Sequence, residues 1–168
     1  ILFWDTVTRE SVADSYADLG FKTVSTNPCG EIPLCPYDSC RLLAINLYSY
    51  VEEPFTEKAK FNWEKFRKHV GLAQRVMDDI IDLELEKVEA ILEKIYSDPE
   101  DEELKQVEIN LWKNIKKMAL DGRRTGVGIT AEGDMLAALG LRYGSENAID
   151  FSVEVHKTIA LEAYRSSV

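Results

Sequence analysis

The sequence predicts an α/β fold, mostly helical with a few short strands. Two stretches, one from Trp63 and one from about residue 100 to 121, carry apolar residues at helical spacing. Two shorter stretches, Phe21–Thr26 and Thr125–Thr130, are rich in β-branched residues and read as strands. The resulting order of strand, helices, strand and helix is the alternation expected of an α/β domain.

Taken in order, residues 1–20 mix apolar and acidic positions. Trp4, Val7, Val12, Tyr16 and Leu19 make one helical stripe, which Gly20 ends. The strand at Phe21–Thr26 delivers the chain to a loop at Asn27, so that the loop sits at a strand end, where barrel enzymes keep their chemistry. Cys40 to Tyr50 is rich in Leu, Ile and Tyr and reads either as a buried strand or as a short helix. Glu52-Glu53-Pro54 breaks it.

Asn62 caps the next element. Phe66, Val70, Ala73, Met77, Ile80, Val88, Ile91 and Ile95 then recur every three or four residues, as on a long amphipathic helix. A widening of the stripe between Ile81 and Leu85 marks a bend. Asp98 and Pro99 restart a helix as cap and first turn, and Glu100 to Glu103 suit its positive end. Leu104, Val107, Leu111, Ile115 and Met118 form its buried stripe, and the two helices pair as an antiparallel hairpin over about 62–121. The alternation of glycine with β-branched residues at Thr125–Thr130 predicts a strand that a neighbour approaches closely. Ala131–Leu139 is a helix stopped by Gly140. Ser145 caps a last helix with Ala148, Phe151, Val155, Ile159 and Ala163 on one face. No internal repeat and no low-complexity segment interrupts this order.

Length and composition bound the function. At 168 residues, 45% hydrophobic and 30% charged, the chain is one globular domain by size and long enough to bury a core. A net charge of −10 argues against binding a nucleic-acid polymer, which needs a basic face, but leaves room for a nucleotide substrate. No apolar run approaches the ~20 residues of a membrane span, and no signal peptide is visible. A first residue of Ile rather than Met fits a piece of a longer protein. Three cysteines, Cys29, Cys35 and Cys40, are a poor disulfide framework and have the wrong spacing for a zinc ribbon. Reduced thiols in a cytoplasmic protein are the expectation. His69 and His156 lack a ligand partner four residues on, so no metal site is expected.

The stretch richest in chemistry is Asn27-Pro28-Cys29-Gly30-Glu31-Ile32-Pro33-Leu34. Its two prolines forbid a regular helix or a central strand, and Gly30 permits a tight bend. A thiol, a carboxylate and an amide thus stand at one tip. On an extended backbone, Asn27, Cys29 and Glu31 would face one substrate together. Each also has a plainer reading: Cys29 as a small buried apolar residue, Glu31 as a solvated loop carboxylate, Asn27 as a turn cap.

This loop resembles the catalytic finger loop of ribonucleotide reductases. Its form is most like that of the adenosylcobalamin-dependent class II enzymes. A second segment, Gly122-Arg123-Arg124-Thr125-Gly126-Val127-Gly128-Ile129-Thr130, is similar to the one that leads into a later barrel strand of that family. The resemblance implies an internal fragment of the ten-stranded α/β barrel: a finger loop at about 27–36, the helical hairpin, and a strand-helix-helix portion at about 125–168. It implies that Cys29 becomes a thiyl radical and takes the 3′ hydrogen of a ribonucleotide. Glu31 would be the general base on the 3′ hydroxyl. Asn27 would hold the substrate hydroxyls, and Asn27, Pro28, Cys29, Gly30 and Glu31 would form the substrate-binding loop. Cys40 would be one half of a redox dithiol whose other half lies outside the chain, while Cys35 matches no family role.

The implied cofactor is adenosylcobalamin, bound mostly by parts outside the chain. The implied partners are the ribonucleotide, the remainder of the reductase chain and a thioredoxin-like reductant, and a homodimer stays open. Gly122–Gly128 lacks the Gly-Lys-Ser/Thr ending of a phosphate cradle. Arg123 and Arg124 therefore read either as phosphate ligands or, preferably, as structural groups at a helix end. Two other readings compete: a non-catalytic helical interaction module derived from a reductase, and a glycyl-radical-type enzyme. If the fragment reading holds, the 168 residues alone show no nucleotide reduction, and turnover by the isolated chain overturns it.

Overall fold

The computed structural model describes residues 2–10, 12–30 and 32–167. Contacts divide the chain into two compact units, Ile1–Arg41 with Ile80–Arg124 and Leu42–Asp79 with Thr125–Val168. Helices dominate, and the strands among the described residues form three two-stranded pairs.

In the unit built on Leu42–Asp79 and Thr125–Val168, β3 (Arg41–Asn46) is hydrogen-bonded to β6 (Thr125–Thr130). The Cys40–Tyr50 stretch combines a strand with a short helical turn: β3 is followed at once by a 3-10 turn at Leu47–Tyr50, but the strand is not the buried one expected, since only Ile45 is buried and Leu42 is exposed. β4 (Val51–Glu52) runs antiparallel to β5 (Lys60–Phe61), with Val51 opposite Phe61. Asn62 then starts the long helix α2 (Trp63–Ser97). Its Oδ1 accepts from the Lys65 N–H at 2.9 Å, and its Nδ2 donates to Glu52 at 2.6 Å. One side chain therefore caps the helix and ties it to β4.

The core of this unit gathers Leu47, Phe66, Val70, Met135 and Val155, all fully buried, with Ile45, Tyr50, Phe61 and Leu136 around them. Tyr50, Phe61, Trp63, Phe66 and Phe151 meet at tilted and edge-on angles, the arrangement that ring quadrupoles favour. Tyr50 reaches His69 Nδ1 at 3.1 Å, and burial pushes its hydroxyl pKa upward. α4 (Glu132–Ala138) and α5 (Glu146–Ser167) close the core. Gly140, at φ +72°, follows α4, and the Ser145 hydroxyl accepts from the Ala148 N–H at 3.4 Å to start α5. Ala148, Val155 and Ile159 are buried, as the spacing predicts. A Cβ built on Gly128 would meet only Leu43 O, at an ordinary 3.8 Å, so this glycine answers no close approach.

In the other unit, α1 (Trp4–Glu10) is followed by a 3-10 segment at Val12–Leu19 that is interrupted at Tyr16. The expected single stripe does not form: Trp4, Tyr16 and Leu19 are exposed. Of the strand expected at Phe21–Thr26, only Ser25–Thr26 (β1) is formed, paired with β2 (Pro33–Leu34). The second half of α2 faces α3 (Glu102–Gly122) in the antiparallel sense. Arg123 pairs with Asp82 at 2.8 Å, and further along Lys116 pairs with Glu89.

Three local expectations change. The buried face of α2 takes Ile81 and Leu92, whereas Ile80 is exposed and Ile91 half-buried. The cap of α3 is Asp101, which accepts from the Glu103 N–H at 2.9 Å. Asp98 instead donates its N–H to Ile95 O and closes the end of α2, leaving Pro99 in the connection. The buried face of α3 is also rotated from the expected one. Leu104, Val107 and Leu111 are exposed, while Ile109 and Ala119 are buried. The helix carries apolar residues on both faces, and the stems of Lys105 and Lys116 are themselves partly covered, as long cationic side chains allow. In the 168-residue chain, Ile109→Ala should therefore cost about 2–4 kcal/mol, and Leu111→Ala less than about 1 kcal/mol. Chemical denaturation checks this, and the reverse ranking would restore the face expected from spacing.

Candidate active-site loop

The loop at Asn27 stands on the β1–β2 stem, in which Thr26 lies opposite Pro33 and Ser25 opposite Leu34. Val24 N–H donates to Leu34 O at 2.9 Å, and Asn27 N–H donates to Ile32 O at 3.1 Å. The Asn27 side chain accepts from the Ile32 N–H at 2.8 Å. Between these ties, Gly30 N–H donates to Asn27 O at 2.9 Å and closes a four-residue turn, Asn27-Pro28-Cys29-Gly30. Proline suits the second position of such a turn because its φ is preset.

The tip is thus a turn, not an extended piece. The alternation that would point Asn27 and Cys29 the same way does not apply, and Asn27 Oδ1 is committed to holding the loop shut. Pro28 and Cys29 are exposed at the tip. Gly30 has φ +79°, a conformation that costs an L side chain about 1–2 kcal/mol, and a Cβ there would press on the Leu2 side chain at 2.6 Å. Glu31 lies outside the described residues.

Cys40 is half-buried, its sulfur 3.8 Å from Arg41 O. None of the three cysteines is in a disulfide. Next to Cys40, Arg41 makes a two-pronged ion pair with Glu84 of α2, at 2.6 and 2.7 Å, and its side chain is only 9% exposed. It also donates to Arg124 O at 3.4 Å.

Below the loop lies a cluster that spacing did not reveal. Asp38, its side chain only 2% exposed, takes Arg124 Nε at 2.7 Å, the Ser39 N–H at 2.8 Å and the Cys35 thiol at 3.1 Å. Arg124 further donates to Pro33 O at 3.0 Å and lies 3.7 Å from the Cys35 sulfur. Cys35 is buried, and its pKa is raised. Burial raises it most, then the hydrogen bond to Asp38 and that carboxylate's charge, while Arg124 pulls the other way. Asp38 and Arg124 stand 86 positions apart, so no local pattern joins them. The one sequence signal was the Cys35-Pro36-Tyr37-Asp38 turn, which brings an acid back to a cysteine. Arg123 and Arg124 both pair with carboxylates of this chain, Arg123 with Asp82 and Arg124 with Asp38.

Among the described residues no group of His, Cys, Asp and Glu could hold a metal ion, and no helix is long and apolar enough to cross a membrane. The burial contrast predicts an order of alkylation: the exposed Cys29 reacts ahead of Cys35, whose burial shields the sulfur and raises its pKa. Because folding raises the Cys35 pKa, its protonated form favours the folded state. That contribution is intact below the ordinary thiol range and is lost as pH rises through the raised value. Peptide mass spectrometry after timed iodoacetamide pulses checks the order, and Cys35 labelling ahead of Cys29 contradicts it.

Similarity to known proteins agrees with the loop. The family model described as "Ribonucleotide reductase, barrel domain" matches residues 1–168. The chain is 30% identical over 167 residues to a vitamin B12-dependent ribonucleoside-diphosphate reductase of Thermoplasma acidophilum, covering 99% of this chain and 18% of that protein. It is 28% identical to the reductase of the same name from Mycobacterium tuberculosis, covering 99% of this chain and 19% of that protein. A ribonucleoside-diphosphate reductase subunit alpha of Chlamydia pneumoniae is 28% identical over 146 residues, 84% of this chain and 11% of that one. The chain spans roughly a fifth or less of the length of these relatives. No solved structure gives a significant match. With the family model matched from one end to the other and the cysteine turn in place, this chain belongs to the ribonucleotide reductase barrel-domain family.

Proposed function

We propose that the chain is the part of a ribonucleotide reductase catalytic barrel that carries the radical-bearing cysteine, within an adenosylcobalamin-dependent enzyme. The observation that carries this reading is Cys29, exposed at the tip of a loop closed by three hydrogen bonds between Asn27, Gly30 and Ile32. The names of the two B12-dependent relatives support the class. We read β3 and β6 as strands of a ten-stranded α/β barrel whose other strands belong to the rest of the parent. In this reading 1–168 is one fragment of that barrel domain, with its finger loop, helical hairpin and strand-helix-helix portion.

The exposure of Cys29 fits a radical source that meets the thiol from outside this chain. Bound adenosylcobalamin would supply the radical. The residues of this chain then do the following. The sulfur of Cys29 takes the 3′ hydrogen atom of the ribonucleotide; S–H and ribose C–H bonds are close in strength, so the transfer is reversible. Glu31 takes the 3′-hydroxyl proton, which helps water leave from C2′. Cys40 and a second thiol of the parent supply two electrons and become a disulfide, and a thioredoxin-like partner restores them. Asn27, Pro28 and Gly30 shape the turn that presents Cys29 to the sugar. The setting is cytoplasmic, where thiols stay reduced.

The test is nucleotide reduction by the full-length parent with adenosylcobalamin and a dithiol, beside its Cys29→Ala form. Turnover that needs the cofactor and disappears in Cys29→Ala is expected. Turnover that needs an iron or manganese radical subunit instead would move the class, and full activity in Cys29→Ala would remove the reading.

A further inference from the structure

We propose that Asp38 and Arg124 form a positioning pair that holds the Cys29 turn and the Cys40 segment in one fixed register. The inference rests on the reading above for its catalytic meaning, but its geometry stands apart from that reading. Arg124 follows α3 and directly precedes β6, so its backbone is held on both sides. From there its guanidinium reaches two places. One is Pro33 O, on the stem of the Cys29 loop, one residue beyond the Ile32 N–H that Asn27 holds. The other is the carboxylate of Asp38, two residues before Cys40. The Arg124 carbonyl accepts from Arg41, on the other side of Cys40, and Arg41 is itself locked to Glu84. A single residue thus ties the stem beneath one thiol to the segment around the other.

Chemistry favours this role over incidental packing. A carboxylate only 2% exposed needs a charged partner, because an unpaired buried charge is strongly destabilising. Asp38 has one in Arg124, and it also accepts from the Ser39 N–H and the Cys35 thiol. The guanidinium has donors to serve Asp38 and Pro33 O together, whereas a lysine ammonium is a compact charge without that planar fork. Neither side chain lies at the exposed tip, so the pair acts through the loop as a positioning pair. Hydrogen-atom transfer tolerates little misplacement, and a shift of ~1 Å can cost ~100-fold in rate.

The experiment uses the full-length reductase and three variants numbered as in this chain: Arg124→Met, Arg124→Lys and Asp38→Asn. Turnover and amide hydrogen exchange are measured on each. We expect Arg124→Met and Asp38→Asn to lose about 100-fold in turnover and Arg124→Lys to recover part of that loss. Exchange at Gly30 and Ile32 should quicken several-fold, while the α2 segment Phe66–Ile81 exchanges as in the parent. Asp38→Asn keeps the shape of the side chain, so it guards against a methionine variant that does not fold. Turnover within twofold of the parent, or exchange that quickens equally in α2, overturns the proposal. If the parent itself reduces no nucleotide, the functional reading fails and the exchange at Gly30 and Ile32 alone decides the positioning role.

Discussion

A buried carboxylate that must be neutralised organises the cysteine-bearing segment of this chain. Asp38 is out of water, and its partner Arg124 stands 86 positions further along the sequence. Because the guanidinium also holds Pro33 O, satisfying the charge fixes the stem of the loop. The turn at Asn27–Gly30 is small and closed by its own hydrogen bonds, but its stem is only two residues long on each strand. Two-stranded hairpins are marginal in water without packing beneath them. The ion pair and the buried Cys35 supply that base.

The three thiols consequently meet three environments. Cys29 is open to whatever approaches the tip, Cys40 is half-covered between anchored neighbours, and Cys35 is shut in against Asp38. Burial and a nearby negative charge both work against a thiolate at Cys35. A cysteine that stays protonated beneath a loop is a packing group and a weak hydrogen-bond donor, not a nucleophile. The structure thereby separates an exposed cysteine at the tip from a buried one beneath the loop, although the two stand six residues apart.

The unit built on Leu42–Asp79 and Thr125–Val168 rests on a different force. There a cluster of aromatic rings around Phe66, with Leu47, Val70 and Val155, excludes water. Its helices were legible from spacing: Phe66, Val70, Ala73 and Met77 on α2, and Ala148, Val155 and Ile159 on α5, are buried where a 3.6-residue period puts them. In the other unit α3 defeated the same rule. It has apolar residues on more than one face, and the face at Ile109 and Ala119 is the one buried.

By itself the sequence determined the local events. Proline and glycine set the turn at Asn27–Gly30, Asn62 and Ser145 set helix starts, and single-faced apolar periods set what α2 and α5 bury. It also carried the family, because the reactive loop is a contiguous string. The tertiary structure alone decided what depends on distant partners. These are the rotation of α3 and the union of Cys35, Asp38 and Arg124. The physical reason is range. Backbone preference and helical period act over a few residues, whereas a buried charge is satisfied by whichever opposite charge the fold brings within about 3 Å.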